Sequence, residues 1–464
     1  MNPSSSEPSA TDHRGLTWLS EVRLPPDGSA LSGGGRRTAR SGGGGSGIAR
    51  GAGGGALQGA AAEQRWRVAI DQAGRIASLH PLPPGSRGAG ADWQGDWLSP
   101  AGVDLQINGG LGLAFPELTT ADLPRLQELL ELLWADGVEA ICPTLVTCGV
   151  APLRQALAVL RQARAAHRPG RCRLLGAHLE GPFLAEARRG AHPREHLAAP
   201  SLAALQERIE GFQGPAEAAA RRREPGAEAA AAEGGAAPWP AGTLSADLAL
   251  LTLAPEQEGA ADVIAALRRA GVVVSLGHSQ ASDSEAAAAF EAGVGMLTHA
   301  FNAMAGLGHR APGPVAAAVL RGDVALGLIA DGVHVAPSMA VLLQRLAPDQ
   351  VVLVSDALAP YGLEDGVHRW DERELQVKDG SCRLADGTLA GVTLPLLEGA
   401  VRLARWSGMP ALAIAAATLL PRRLLGERRP IEQLLLGLPL SECLRWHEGA
   451  EGLRWQRASL ARQT

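Results

Sequence analysis

Residues 272–357 contain VVVSLGHS (272–279), GMLTHAFNAM (295–304), ALGLIADGVH (325–334) and VVLVSDA (351–357). Four short apolar runs each end on a side chain that can bind a metal or move a proton: His278, His299, Asp331 followed by His334, and Asp356. Small-residue stretches at helical spacing separate them. Apolar strands that alternate with helices and end in polar groups point to a parallel α/β barrel, whose reactive side chains gather at the carboxyl ends of the strands.

Working outward, the same pattern continues upstream. Strands are expected at 103–108, 138–147, 173–180, 248–255, 272–278, 295–300, 325–331 and 351–356. Helices are expected between most of them, at 121–136, 151–167, 201–211, 257–270, 282–292, 313–321 and 337–347. Eight such units argue for a (β/α)8 TIM-type barrel rather than an open sheet. Residues 213–243 are low in complexity and fall between the third and fourth strands, so they read as a surface insertion. Beyond the eighth strand, 372–392 looks β-rich, with helices at 394–407 and 410–425 and a weakly patterned tail. Residues 1–60 are dominated by Gly, Ser, Ala and Arg and are expected to be largely disordered. From Gln64, two strands about a D-x-x-G turn and a third in DWQGDWLSP suggest a small β unit ahead of the barrel.

The chain has 464 residues, enough for one large core and further domains. A net charge of −5 gives no electrostatic argument for nucleic acid or an anionic membrane. No apolar run approaches the ~20 residues needed to span a bilayer, and the N-terminus lacks the pattern of a signal peptide. Five cysteines, with no C-x-x-C pair, suit a reduced, cytoplasmic setting.

The chemistry concentrates at the strand ends. Glu180 closes the third strand in HLEGPF, and His278 and His299 close the fifth and sixth. Two histidines and one carboxylate make a three-ligand catalytic site with a position open for water. Either histidine alone reads as structural; the set at one barrel mouth reads as a metal site. Zinc fits this donor set best, and iron, manganese and cobalt are compatible with it. Asp356 reads either as a helix cap or, facing the same mouth, as a general base, and the second reading is favoured. His334 suits a substrate or oxyanion contact. Asn302 and Ala303 begin the loop after His299, and His192 and Arg310 are candidate anion contacts. Lys378 is the sole lysine and lies outside the barrel strands, so a carboxylated lysine bridging two metals is ruled out.

The motifs PAGVDLQINGG, CPTLVT, LGAHLEGPFL with RGAHP, LTLAPE, SLGHSQA, LTHAFNAM, IADGVH, LVSDA and ADGTLAG occur in this order. Over about 98–410 the chain closely resembles the N-acetylglucosamine-6-phosphate deacetylase family of the amidohydrolase superfamily. The resemblance implies a (β/α)8 barrel with a small β-sandwich built from N- and C-terminal segments, and a homodimer. The domains are then 1–60 (low complexity), 61–100 (first part of the small domain), 101–371 (barrel with insertion 213–243), 372–425 (segment completing the barrel) and 426–464 (second part of the small domain). Glu180, His278 and His299 match the family's metal ligands, Asp356 its acid/base, and His334 its substrate-contacting histidine. His192, Arg310 and the Asn302–Ala303 loop match sugar-phosphate contacts, and in family dimers the arginine can come from the neighbouring subunit. The implied reaction converts N-acetyl-D-glucosamine 6-phosphate to D-glucosamine 6-phosphate and acetate. Another amidohydrolase activity, or a non-catalytic sugar-phosphate-binding homologue, are the alternatives. The first strand carries Gln106 and Asn108 where many amidohydrolases have His-x-His, so one divalent metal per subunit is expected. Val392 stands where the family often has Ser.

Overall fold

The computed structural model describes residues 15–26, 64–86, 88, 90–209, 247–371 and 373–460. The insertion 213–243, and most of the region 1–60 expected to be disordered, lie outside the described residues. The chain divides into two compact units, one of Met1–Ala101, Met409–Ala415 and Arg428–Thr464, the other of Gly102–Gly408 and Ala416–Glu427.

The larger unit is the barrel. Its parallel strands are β1 (Gly102–Ile107), β2 (Val138–Val146), β3 (Ala177–Glu180), β4 (Leu248–Leu253), β5 (Val273–Leu276), β6 (Met296–Leu297), β7 (Ala325–Leu328) and β8 (Val351–Leu353). They pair in sequence order from β1 to β8. Just beyond β8, Asp356 N–H donates to Gln106 O at 2.8 Å and Asn108 N–H donates to Ala357 O at 2.7 Å. The two ends of the sheet therefore meet at the carboxyl edge. All six residues of β1 and of β4 are buried, as expected for strands covered on both faces.

Among the described residues, eight α-helices of this unit lie ahead of Gly408: α1 (Leu123–Ala135), α2 (Val150–Ala165), α3 (Leu202–Arg208), α4 (Ala260–Arg269), α5 (Asp283–Ala292), α6 (Gly313–Arg321), α7 (Pro337–Leu346) and α8 (Leu396–Ser407). In α1 the buried side chains Leu126, Leu129, Leu130 and Leu133 follow the i, i+3, i+4, i+7 spacing of one helical face. A reciprocal Ser282–Glu285 capping box starts α5, and left-handed Gly293 ends it.

Two local departures from the expected elements have steric causes. The third expected strand divides into Arg173–Leu174 and Ala177–Glu180. Between them a Cβ at Gly176 would lie 2.7 Å from Ala249 N, so the chain crosses here in close backbone contact. The expected helix 410–425 is two, Pro410–Thr418 and Leu420–Leu424. Pro421 has no N–H to continue the first helix and opens the second instead.

An antiparallel sheet lies between β8 and α8: Gly366–Trp370, Arg373–Lys378, Ser381–Leu384 and Leu389–Val392. It begins ahead of the β-rich stretch expected at 372–392. Trp370, Leu375, Val377 and Cys382 form an apolar cluster with Ala114, Leu358 and Ala359.

The smaller unit holds two sheets. One runs Ile76–Pro81, Trp66–Ile70, Thr17–Val22, Ala91–Asp92; the other runs Gly452–Arg457, Leu444–Gly449, Trp97–Ser99. Strands from both chain ends thus share one unit. Asp71 Oδ1 fixes the first hairpin by accepting from Ala73 N–H and Arg75 N–H, both at 2.9 Å. Among the described residues no helix is long and apolar enough to cross a membrane.

Candidate active site

Glu180 is the last residue of β3, and His278, His299 and Asp356 follow β5, β6 and β8 by two or three residues. The barrel therefore brings together side chains up to 176 positions apart at its carboxyl end (356 − 180). His278, His299 and Asp356 all have left-handed backbones, with φ of 49°, 28° and 52°. Ala303, in the loop after His299, also has φ 51°. Such conformations are costly for residues with a Cβ and cluster where function fixes the backbone. Close strand approach helps to set them. A Cβ on Gly277 would lie 2.7 Å from Thr298 Cβ and 2.8 Å from Thr252 Cγ2, so only glycine fits without displacement.

The three candidate ligand atoms form a tight triangle. Glu180 Oε1 lies 3.1 Å from His278 Nε2 and 3.0 Å from His299 Nε2, and the two nitrogens are 3.0 Å apart. Ligands bound tetrahedrally at about 2.1 Å lie roughly 3.4 Å from one another, so the triangle matches a shared divalent cation to a few tenths of an ångström. His278 Nδ1 lies 2.8 Å from Arg188 O. A carbonyl only accepts, so Nδ1 carries the proton and Nε2 presents its lone pair to the cluster. All three side chains are buried. The donor set and its geometry therefore fit a metal ion.

His192 joins the cluster from the other side. Its Nε2 is 3.8 Å from Glu180 Oε2, and the ligating atoms of Glu180, His192 and His278 all lie within 4.8 Å of one another. The triangle that includes His299 is tighter and converges on a single carboxylate oxygen, so it is the better candidate for the ion. Burial, with the neighbouring His278, drives the His192 imidazole down to about 3, so it is neutral at physiological pH. Burial opposes ionisation of Glu180, but the imidazoles of His278, His299 and His192 packed around it hold it well below the usual carboxylate range.

Asp356 behaves oppositely. Burial, then repulsion from Glu180, raises its carboxyl to about 6. Asn108 Nδ2 donates to Asp356 Oδ1 at 2.7 Å, and Gln106 Nε2 lies 3.3 Å from the same oxygen and 3.1 Å from Glu180 Oε1. The Val392 backbone N–H donates to Asp356 O at 3.3 Å, so the residue that follows ADGTLAG braces Asp356 through its main chain.

These groups open onto a cavity of about 620 Å³, a size typical of small-ligand sites. His334 lines it, with Nδ1 held 2.7 Å from Asp331 Oδ2. Burial opposes ionisation of Asp331, but the His334 hydrogen bond holds its pKa below the usual value. Asn302 and Ala303 also line the cavity; the Asn302 amide bonds His299 O and Ala300 O at 3.2 and 3.3 Å. Arg310 is exposed and is not among the residues facing the cavity.

Three contributions are not apparent in the sequence. Arg188 supplies a carbonyl rather than its charge. Thr147 donates through Oγ1 to Glu180 O at 2.9 Å while its N–H meets His192 Nδ1 at 3.3 Å. Trp370 and Arg373 of the antiparallel sheet line the cavity, and Arg373 Nη1 donates to Ala191 O at 2.7 Å, bracing the residue before His192. The nearest sequence signal is the T in CPTLVT, a hydroxyl at a strand end. Nothing local marks the other two.

No family model matches the chain. It is 33% identical over 355 residues to the N-acetylgalactosamine-6-phosphate deacetylase of Escherichia coli O157:H7, covering 76% of this chain and 83% of that protein. It is 30% identical over 372 residues to the N-acetylglucosamine-6-phosphate deacetylase of Vibrio furnissii, covering 80% and 84%. Among solved structures, the N-acetylglucosamine-6-phosphate deacetylase of Thermotoga maritima superposes with a TM-score of 0.63 at 27% identity, covering 82% of this chain and 90% of that one. The Mycobacterium smegmatis enzyme, an aspartate-to-alanine variant in complex with N-acetyl-D-glucosamine-6-phosphate, gives 0.62 at 27% identity, covering 79% and 88%.

Proposed function

Since the chain belongs to the N-acetylglucosamine-6-phosphate deacetylase family of the amidohydrolase superfamily, we propose that this barrel mouth hydrolyses the acetamide of N-acetyl-D-glucosamine 6-phosphate, releasing D-glucosamine 6-phosphate and acetate. The observation that carries the reading is the Glu180–His278–His299 triangle beside Asp356, a cavity-lining carboxyl whose pKa is raised to about 6.

Glu180, His278 and His299 would hold one divalent cation, and zinc suits the donors best, with Fe2+, Mn2+ and Co2+ also compatible. Bound there, the cation polarises the acetamide carbonyl and acidifies water. Asp356 accepts the proton of the attacking water, then returns it to the sugar nitrogen as the C–N bond breaks. A carboxylate with a pKa near 6 suits both steps, being ionised at neutral pH yet basic enough to hold a proton. Asp331 fixes His334 through Nδ1, which leaves Nε2 to contact the carbonyl oxygen or a sugar hydroxyl. His192 and the Asn302–Ala303 loop contact the sugar phosphate. Arg310 stands outside its own cavity, which suits a homodimer in which it serves the adjoining subunit. None of the five cysteines forms a disulfide, as suits the reducing cytoplasm.

The relative acting on the galactosamine epimer, at 33% identity, favours a second reading in which the 4-epimer is the substrate. Acetate release from both N-acetylhexosamine 6-phosphates and both unphosphorylated sugars separates these cases. The proposal expects a higher kcat/KM on the gluco-configured phosphate. Equal rates with and without phosphate would refute it.

A further inference from the structure

Gln106 and Asn108 are both buried, and their amide nitrogens converge on the two carboxylates of the site. Gln106 Nε2 has two hydrogens and two carboxylate neighbours, Glu180 Oε1 at 3.1 Å and Asp356 Oδ1 at 3.3 Å. Asn108 Nδ2 adds a shorter bond of 2.7 Å to the same Asp356 oxygen. The charges fix the amide orientations: a flip would set each carbonyl oxygen against a carboxylate.

That orientation leaves a mark. Gln106 Oε1 and Asn108 Oδ1 are buried with no hydrogen-bond partner among the described residues. A buried carbonyl without a donor is destabilising, and apolar side chains of the same shape would avoid the cost. Stability alone therefore does not account for two adjacent amides here. The use of their N–H groups does. The main chain reinforces the arrangement, because Asp356 N–H donates to Gln106 O and Asn108 N–H donates to Ala357 O.

We propose that Gln106 and Asn108 are positioning residues for the general base: by donating together to Asp356 Oδ1 they lock the carboxylate rotamer and assign the proton-accepting role to Oδ2. Gln106 also ties Glu180 to Asp356, holding two carboxylates side by side without a shared proton. This inference rests on the deacetylase reading above, in which Asp356 moves the proton.

The test uses full-length, metal-loaded Asn108→Leu and Gln106→Met, which keep shape and remove the donors. Expected is a fall in kcat of about tenfold or more with KM within about threefold, the mark of lost transition-state alignment. Metal analysis of the same samples should give the wild-type ion content. Wild-type kcat would overturn the proposal, as would a loss of activity that tracks lost metal or raised KM. If the leucine variant does not fold, Asn108→Asp, which keeps shape but replaces the donor by an acceptor, is judged by the same criteria. Wild-type acetate release and its loss in Asp356→Asn report on the deacetylase reading itself, while the variant-to-wild-type ratios report on this one.

Discussion

Asp356→Asn should lower turnover by orders of magnitude and stabilise the metal-free fold. The wild-type carboxyl is buried, lies beside Glu180, and has a pKa raised to about 6 from an ordinary value of 3.8. At about 1.36 kcal/mol per pKa unit, keeping it ionised at pH 7 costs the native state on the order of 3 kcal/mol. The sign follows from linkage: the native state holds this proton more tightly than the unfolded chain does. The associated stability is fully present below the unfolded pKa and is lost as pH rises through about 6. Asparagine removes the charge but keeps an Oδ1 that still accepts from Asn108. The assay is urea unfolding of chelator-treated wild type and variant, where no cation offsets the charge, at pH 4 and pH 7.5. The stability difference should grow between these pH values by up to about 3 kcal/mol in favour of the variant. Its acetate release with metal restored should fall by roughly 10²-fold or more. A pH-independent difference, or turnover within tenfold of wild type, would refute the reasoning.

Other consequences follow from the same geometry. With ionised Asp356 required, kcat/KM should fall about tenfold per pH unit below pH 6, to roughly a tenth at pH 5; a flat profile there would assign the base elsewhere. Glu180→Gln or His299→Ala opens the triangle and should lower bound divalent metal well below one ion per chain, read by elemental analysis of the purified variants. Gly277→Ala forces a methyl against Thr298 and Thr252 at 2.7–2.8 Å. It should cost on the order of 1–3 kcal/mol of stability, seen as a lowered Tm.

The barrel was legible because its signals are local. A buried parallel strand is an apolar run, and the residue after it points to the mouth, so VVLVSD and HLE could be read without tertiary information. The short β6, only Met296–Leu297, was still marked by the polar turn that follows it. Legibility failed where contacts are remote or backbone sterics decide. The division of the third strand turns on Gly176 meeting Ala249 across the sheet. The strand Gly366–Trp370 has an exposed face with no apolar alternation to announce it. Gln106 and Asn108 were visible as replacements for histidine, but their convergence on Asp356, 250 and 248 positions away, belongs to barrel closure. Arg310 carries a suggestive motif and yet stays outside its own cavity, because a residue type does not record which way its loop turns.

The central claim, that this chain is a metal-dependent sugar-phosphate deacetylase, is tested most directly by the acetate released from N-acetyl-D-glucosamine 6-phosphate by protein of known metal content. The account predicts multiple turnovers with about one divalent ion per chain, abolished by a chelator and restored by zinc or another of the compatible ions. Protein that holds its ion and releases no acetate from either N-acetylhexosamine 6-phosphate would contradict it.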